Sequence, residues 1–148
     1  MKSSLFPDVN VWLALTHNRH IHHTLTAEWF ESAGGCSFLF CRFTQLGLLR
    51  LLTNFQVMGE DTMSQRAAWA VYHRWLEDGR IDFVREPDTG GFDPAFQAAS
   101  SKQQPATKLW ADAYLAAFAR TAGLTLVTFD RHFPRLAGLE IELLKPGL

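Results

Sequence analysis

The sequence predicts an α/β fold built on a central, mainly parallel sheet, and three observations predict it. Short apolar runs alternate with helix-patterned segments from one end of the chain to the other. Several of those runs are apolar on both faces, as strands covered from both sides must be. No repeat, low-complexity tract or linker interrupts the alternation. Residues 1–148 are therefore expected to form one domain, long enough to bury a core without disulfides or a structural metal.

Residues 4–7, Ser-Leu-Phe-Pro, are expected to be a buried strand. Asp8 or Asn10 can cap a helix that begins at Val11, since both residue types favour N-cap positions. The polar stretch 17–23 ends that helix, and residues 23–31 resume a helical pattern. Gly34-Gly35 is a turn, and residues 37–41 form a strand apolar on both faces. A helix follows over 44–52, with Gly47 its one weak point. Thr62 or Ser64 starts a long amphipathic helix through Trp69, Tyr72 and Trp75 to Asp78, with Gly79 just past its end. Residues 81–84 are a short strand, 87–91 a loop, and 94–100 a helical turn or two. A helix over 109–122 ends at Gly123 and leads into a β-rich run, 124–128. Residues 141–144 supply a last strand.

Composition narrows the function. The formal net charge is −1, so nothing pulls the whole chain toward nucleic acid, and any such contact must come from local basic groups. Cys36 and Cys41 would lie roughly 16 Å apart along an extended strand, too far for a disulfide. No segment reaches the roughly 20 apolar residues that span a bilayer, and no signal-type segment opens the chain. A reducing, cytoplasmic setting is expected.

Three aspartates stand where charge meets burial: Asp8 after the first strand, Asp130 after the run 124–129, and Asp112 inside an apolar helix face with Leu109, Ala113 and Ala116. In an open parallel sheet, ligands bind beyond the carboxyl ends of the strands, where Asp8 and Asp130 both emerge. Each acid taken alone has a plain structural use: a helix cap for Asp8, the positive end of a helix for Asp112, a turn cap for Asp130. Taken together they point to one acidic site. A cluster of carboxylates without His or Cys favours a hard cation, Mg²⁺ or Mn²⁺, over Zn²⁺. Such an ion activates water and neutralises charge on a phosphodiester.

The histidines offer a rival. His17, His20, His22 and His23 are dense but lack the i, i+4 spacing of a zinc protease, and a solvated loop explains them. His73 is expected beside Trp69, and His132, close to Asp130, is the one histidine with a candidate catalytic part. Nucleophile-elbow, Walker and dinucleotide-binding motifs are absent. A phosphoacceptor receiver domain would need paired early acids, a mid-chain aspartate and a late lysine, and no such set occurs.

Four ordered segments carry a resemblance: residues 5–15, with Phe6-Pro7-Asp8-Val9-Asn10; 42–54, with Thr44-Gln45-Leu46-Gly47; 110–117, with Ala111-Asp112-Ala113; and 127–133, with Thr128-Phe129-Asp130. Together they resemble the PIN-domain family, above all its VapC-type ribonuclease toxins. The resemblance implies a three-layer sandwich around the parallel sheet and an acidic pocket that binds Mg²⁺ or Mn²⁺. It further implies endonucleolytic RNA cleavage, homodimerisation, and inhibition by a small VapB-like antitoxin. By position Asp8 and Asp112 match the principal metal-binding acids and Asp130 the C-terminal acid, while Asn10 and Thr128 match polar residues flanking the pocket. Gln45 stands where the resemblance places a glutamate. Glutamine keeps an acceptor but loses the charge, which implies weaker binding of a second ion and a positioning part for Gln45. Asp8 and Asp112 would then hold the ion, directly or through water, and Asp130 would orient a metal-bound water or help hold a second ion. The alternative reading is a non-catalytic RNA- or partner-binding module. Arg42, Arg50, Arg131 and Arg135 are candidates for phosphate contacts.

Overall fold

A computed structural model describes residues 3–145. Strands β1 (Ser4–Pro7), β2 (Ser37–Phe40), β3 (Ile81–Phe83), β4 (Thr125–Thr128) and β5 (Glu140–Leu143) form one sheet in the order β3-β2-β1-β4-β5. Every neighbouring pair is parallel. β1 lies at the centre. The chain builds outward through β2 and β3 on one side, then returns to build β4 and β5 on the other.

Successive strand residues point to opposite faces, and the two cores follow from that rule. Leu5, Phe38, Phe40 and Val127 enter one core, whereas Phe6 and Leu126 enter the other. On the first face lie helices α1 (Val9–Thr16), α2 (His23–Ser32), α3 (Arg42–Leu52), α4 (Phe55–Met58) and α5 (Gln65–Leu76). On the second lie α6 (Phe92–Ala99) and α7 (Trp110–Ala122). The result is a three-layer α/β sandwich, its parallel sheet as the sequence pattern predicts and its layering as the resemblance implies. Trp12 of α1 centres the first core, stacked on Phe40 with ring centroids 3.7 Å apart. Phe6 stacks on Phe118 of α7 at 4.9 Å in the second. Ala113, Ala116, Ala117 and Ala119 are buried, and side chains this small let α7 lie close to the sheet.

Local signals set most boundaries. The Asp8 carboxylate accepts a hydrogen bond from Val11 N at 3.1 Å and starts α1 at Val9, two residues earlier than expected. The Ser64 hydroxyl accepts from Ala67 N at 3.1 Å and starts α5, which ends at Leu76, short of the expected Asp78. Gly123 takes φ +70 and closes α7 in the left-handed conformation. The helix α4, too short for any periodicity, escapes the sequence pattern; Asn54 caps it by accepting from Gln56 N at 2.9 Å. Cys36 and Cys41 are free thiols. Among the described residues no helix is long and apolar enough to cross a membrane.

Gly47 is the packing constraint of the first layer. A Cβ there would meet Val9 Cγ2 at 2.6 Å, so α3 crosses α1 at a distance only glycine allows. Gly47→Val is expected to destabilise the protein by about 1–3 kcal/mol, the usual range for overpacking, read from urea unfolding. Gly47→Ala should cost less, because a helix-propensity gain of about 1 kcal/mol offsets the clash. A Val variant as stable as the parent would show that α1 and α3 can separate freely.

Candidate active site

The order of strands reverses beside β1, so the carboxyl ends of β1 and β4 open a crevice between diverging connections. Asp8 leaves β1 there. Its backbone N–H still donates to Val127 O at 2.9 Å, which holds it to the sheet. Its side chain is buried, 9% exposed, and is held at both oxygens. Oδ1 accepts from Val11 N at 3.1 Å, and Oδ2 accepts from the Thr128 hydroxyl at 2.6 Å. Thr128 Oγ1 in turn accepts from Asp130 N at 3.0 Å, and Asp130 Oδ1 accepts from His132 N at 2.8 Å. A single hydrogen-bonded chain thus fastens the end of β1 to the end of β4.

Burial pushes the Asp8 carboxyl up to about 6; the bonds from Thr128 and Val11 pull the other way, and the negative charge of Asp112 adds to the rise. Asp112 sits in the first turn of α7, half-buried. Its carboxyl is also raised, first by burial and then by the charge of Asp130. The three acids therefore feel one another in sequence, Asp8 with Asp112 and Asp112 with Asp130. They do not close on one point. Among the described residues no three carboxylate, His or Cys side chains converge closely enough to enclose one ion. The reason is local: Asp130 is exposed, and its carboxylate is turned back onto its own loop by His132 N. The three aspartates are thus arranged as a buried acid, Asp8, a half-buried one, Asp112, and an exposed outer one, Asp130.

Asp8, Asn10 and Asp112 line a cleft of about 320 Å³ whose lining also includes Gly47, Arg50 and Leu51 of α3 and Asn54, the cap of α4. Gln45 is not part of that lining. It is buried at 6% exposure, its Oε1 accepts from Arg42 Nη1 at 2.6 Å, and it lies beside the Tyr72 hydroxyl. Two residues along a helix turn by about 200°, so a cleft lined by Gly47 leaves Gln45 on the far side. The structure thus places Gln45 away from the acids, as a residue that positions Arg42. At Gly47, which lines the cleft, a Cβ would collide with Val9. Arg50 of α3 and Asn54, the cap of α4, are the polar groups on this wall; their 47, 50, 51, 54 spacing was the available signal, and Asn54 went unnoticed.

The histidines are structural rather than a loosely solvated loop. His17 Nε2 lies 3.0 Å from Asp61 Oδ2, His23 Nδ1 lies 2.7 Å from Ala14 O, and His20 Nδ1 accepts from His22 N at 3.0 Å. His73 stacks on Trp69 with centroids 5.7 Å apart, as expected. His132 is exposed.

The donor set fits a hard divalent cation. Asp112 accepts no hydrogen bond among the described residues, its charge raises the Asp8 carboxyl, and Asp8, Asn10 and Asp112 line the same cleft, so an oxygen-rich donor set lacks a compensating cation there.

Comparison with known proteins agrees with the geometry. The family model for the PIN domain matches residues 5–139. The chain is 43% identical to Ribonuclease VapC41 of Mycobacterium tuberculosis over 145 residues, covering 95% of this chain and 98% of the relative. It is 30% identical to Ribonuclease VapC38 of the same organism over 130 residues, 83% of this chain and 82% of that one. The crystal structure of DNA-bound VapBC from Salmonella typhimurium superposes with a TM-score of 0.62 at 19% identity, covering 96% of this chain and 98% of that chain. At that identity the superposition speaks for the fold.

The folded chain holds the Asp8 proton more tightly than the unfolded chain does. Metal-free stability should therefore fall as pH rises from about 4 to about 6, by roughly 3 kcal/mol for a shift from 3.8 to about 6. Asp112→Asn should raise the metal-free melting temperature near pH 7.5 and remove the further rise on adding Mg²⁺; thermal denaturation with and without the ion measures both. If Asp112→Asn matches the parent in each, Asp112 only serves its helix end. Gln45→Glu should leave the Mg²⁺-induced shift unchanged. A larger shift would place residue 45 at the ion.

Proposed function

The chain belongs to the PIN domain family, and from that membership we propose that it is a Mg²⁺- or Mn²⁺-dependent endoribonuclease, the toxin of a type II toxin–antitoxin pair acting in the cytoplasm. One observation carries the reading. Asp8 and Asp112 form a raised-pKa pair in the crevice where the sheet changes direction, with a phosphate-binding candidate, Arg50, in the lining of the same cleft. The two ribonuclease-named relatives support it over most of the chain.

A divalent cation bound there would supply Lewis-acid stabilisation of the charge that develops on a phosphodiester and would make water easier to deprotonate. Asp8 and Asp112 would hold it, with Asn10 beside them. Thr128 keeps Asp8 in one rotamer through the 2.6 Å hydrogen bond. Asp130, its Oδ1 fixed by His132 N, leaves Oδ2 to orient the attacking water. Arg50, lining the same cleft, would neutralise the non-bridging phosphate oxygens. The alternative of a non-catalytic binding module drew on the missing charge at residue 45. Gln45 lies outside the cleft lining, so that loss does not remove a ligand.

A VapB-like antitoxin is the proposed partner. Support comes from the exposed apolar side chains on α3, α4 and α5, where Leu46 is 52%, Phe55 72% and Trp69 44% exposed. A homodimer would draw on surface of the same kind.

Water attack should leave 5′-phosphate and 3′-hydroxyl ends. Asp8→Ala should lower cleavage of total cellular RNA at least about 100-fold, as loss of a direct metal ligand does. End analysis of the fragments and an EDTA titration check this. Products ending in 2′,3′-cyclic phosphate, or full cleavage in excess EDTA, would overturn the mechanism.

A further inference from the structure

Beside the acid cleft runs a second, larger hollow with a different chemistry. It measures about 1070 Å³ against about 320 Å³ for the cleft, and the two share Phe43 and Ala111. The first turn of α7 divides them: Trp110 lines the groove, Asp112 lines the cleft, and Ala111 touches both. A chain whose scissile phosphate lies at Asp112 must therefore pass its neighbouring nucleotide over Trp110.

The groove is aromatic and basic. Trp110 is 55% exposed at its mouth, standing edge-on to Phe96 with centroids 6.4 Å apart. Tryptophan left this open to water, on an element rigidly packed elsewhere, presents a flat face for stacking. Phe43 lies deeper, 5.8 Å from the Tyr114 ring. The charged lining is Arg42, Arg85 and Lys108 against Glu86. Glu86 is already engaged, its Oε1 accepting from the Tyr114 hydroxyl at 2.7 Å. Arg42 is held in place, its Nη1 donating to Gln45 Oε1 at 2.6 Å while its guanidinium lies over the Phe83 ring at 5.0 Å. Lys108 belongs to a turn that starts from Ala106 in the left-handed region, φ 43, which side-chain-bearing residues seldom adopt.

On a chain of net charge −1 this local excess of cations has to be explained by what it faces. A protein segment would meet the apolar surface equally well. Only a polyanion that also threads the cleft accounts for the cations, the exposed indole and the shared wall together.

We propose that this groove binds the unpaired nucleotides flanking the scissile phosphate, stacking a base on Trp110 and pairing backbone phosphates with Arg42, Arg85 and Lys108. The assignment rests on the ribonuclease reading and deepens it, because it names the residues of this chain that hold the RNA beside the scissile phosphate. Bases inside a duplex offer no face to an indole. Gln45 then acts as a positioning residue for Arg42.

The test is fluorescence anisotropy of a labelled, mixed-sequence single-stranded RNA of about 12 nucleotides, within the span such grooves cover. The full chain carries Asp112→Asn so that the RNA stays intact. Trp110→Ala should weaken binding about tenfold, Trp110→Phe should restore most of it, and a duplex of the same sequence should bind poorly. Arg85→Ala should reduce the slope of log affinity against log salt by about 1, whereas Trp110→Ala should leave the slope alone. All these positions are at the groove surface, and melting temperatures within a few degrees of the parent confirm folding. If the unmutated chain cleaves RNA and every variant binds it as tightly as the parent, the groove assignment falls and the ribonuclease reading stands. If the chain neither cleaves nor binds RNA, both fall.

Discussion

The structure depends on one buried carboxylate. Asp8 sits at the end of the central strand with its backbone still in the sheet, so it cannot move into water without breaking the ladder to Val127. Its charge is tolerated because Val11 N and the Thr128 hydroxyl each give it a hydrogen bond. The same two bonds start α1 and join β1 to β4. One side chain therefore sets the first helix, the closure of the sheet's centre and the floor of the cleft. That is why a cap and a ligand are not competing descriptions of Asp8: an oxygen that accepts one hydrogen bond keeps a second lone pair.

The second constraint is the approach of α3 to α1. Gly47 lets the helix come close enough that its backbone forms a cleft wall, at the expense of any side chain at that position. The acids consequently share the cleft with a guanidinium from α3, Arg50, and an amide from the α4 cap, Asn54, and with no further carboxylate among its lining residues. Two close acids across from a cation suit a single ion better than two, since each additional divalent charge would need its own anionic ligands. Asp130 stands outside this pair and acts on Asp112 through its charge.

Much of this could be read from residue order, and the parts that could not share a cause. Strands were legible because Leu5-Phe6 and Leu126-Val127 are apolar on both faces, a demand only a covered sheet makes. Asp8 and Asp112 were legible because charge beside burial needs a reason. What residue order does not give is which side of its helix each letter faces: Gly47 lines the cleft, while Gln45, two positions earlier, bonds Arg42. Nor does it give the Asp130 rotamer, in which Oδ1 accepts from His132 N. The histidine segment looked solvated, yet its partners Asp61 and Ala14 come from elements distant in sequence or in the preceding helix. In each case the deciding fact was a direction in space.

Those directions also explain why one short turn can serve two tasks. At the start of α7, consecutive residues project about 100° apart, so Trp110 and Asp112 are forced onto opposite sides of Ala111. The acid is drawn toward Asp8, and the indole is left with neither core to enter. An apolar ring exposed by geometry is a liability for a protein with nothing to place on it. Here it borders a groove whose free charges are positive and whose one carboxylate is bonded to Tyr114. The helix that delivers Asp112 to the cleft thus also delivers Trp110 to the groove beside it. Shifting the helix by one residue would lose both placements, so on the proposed reading one turn sets both the acid and the stacking surface.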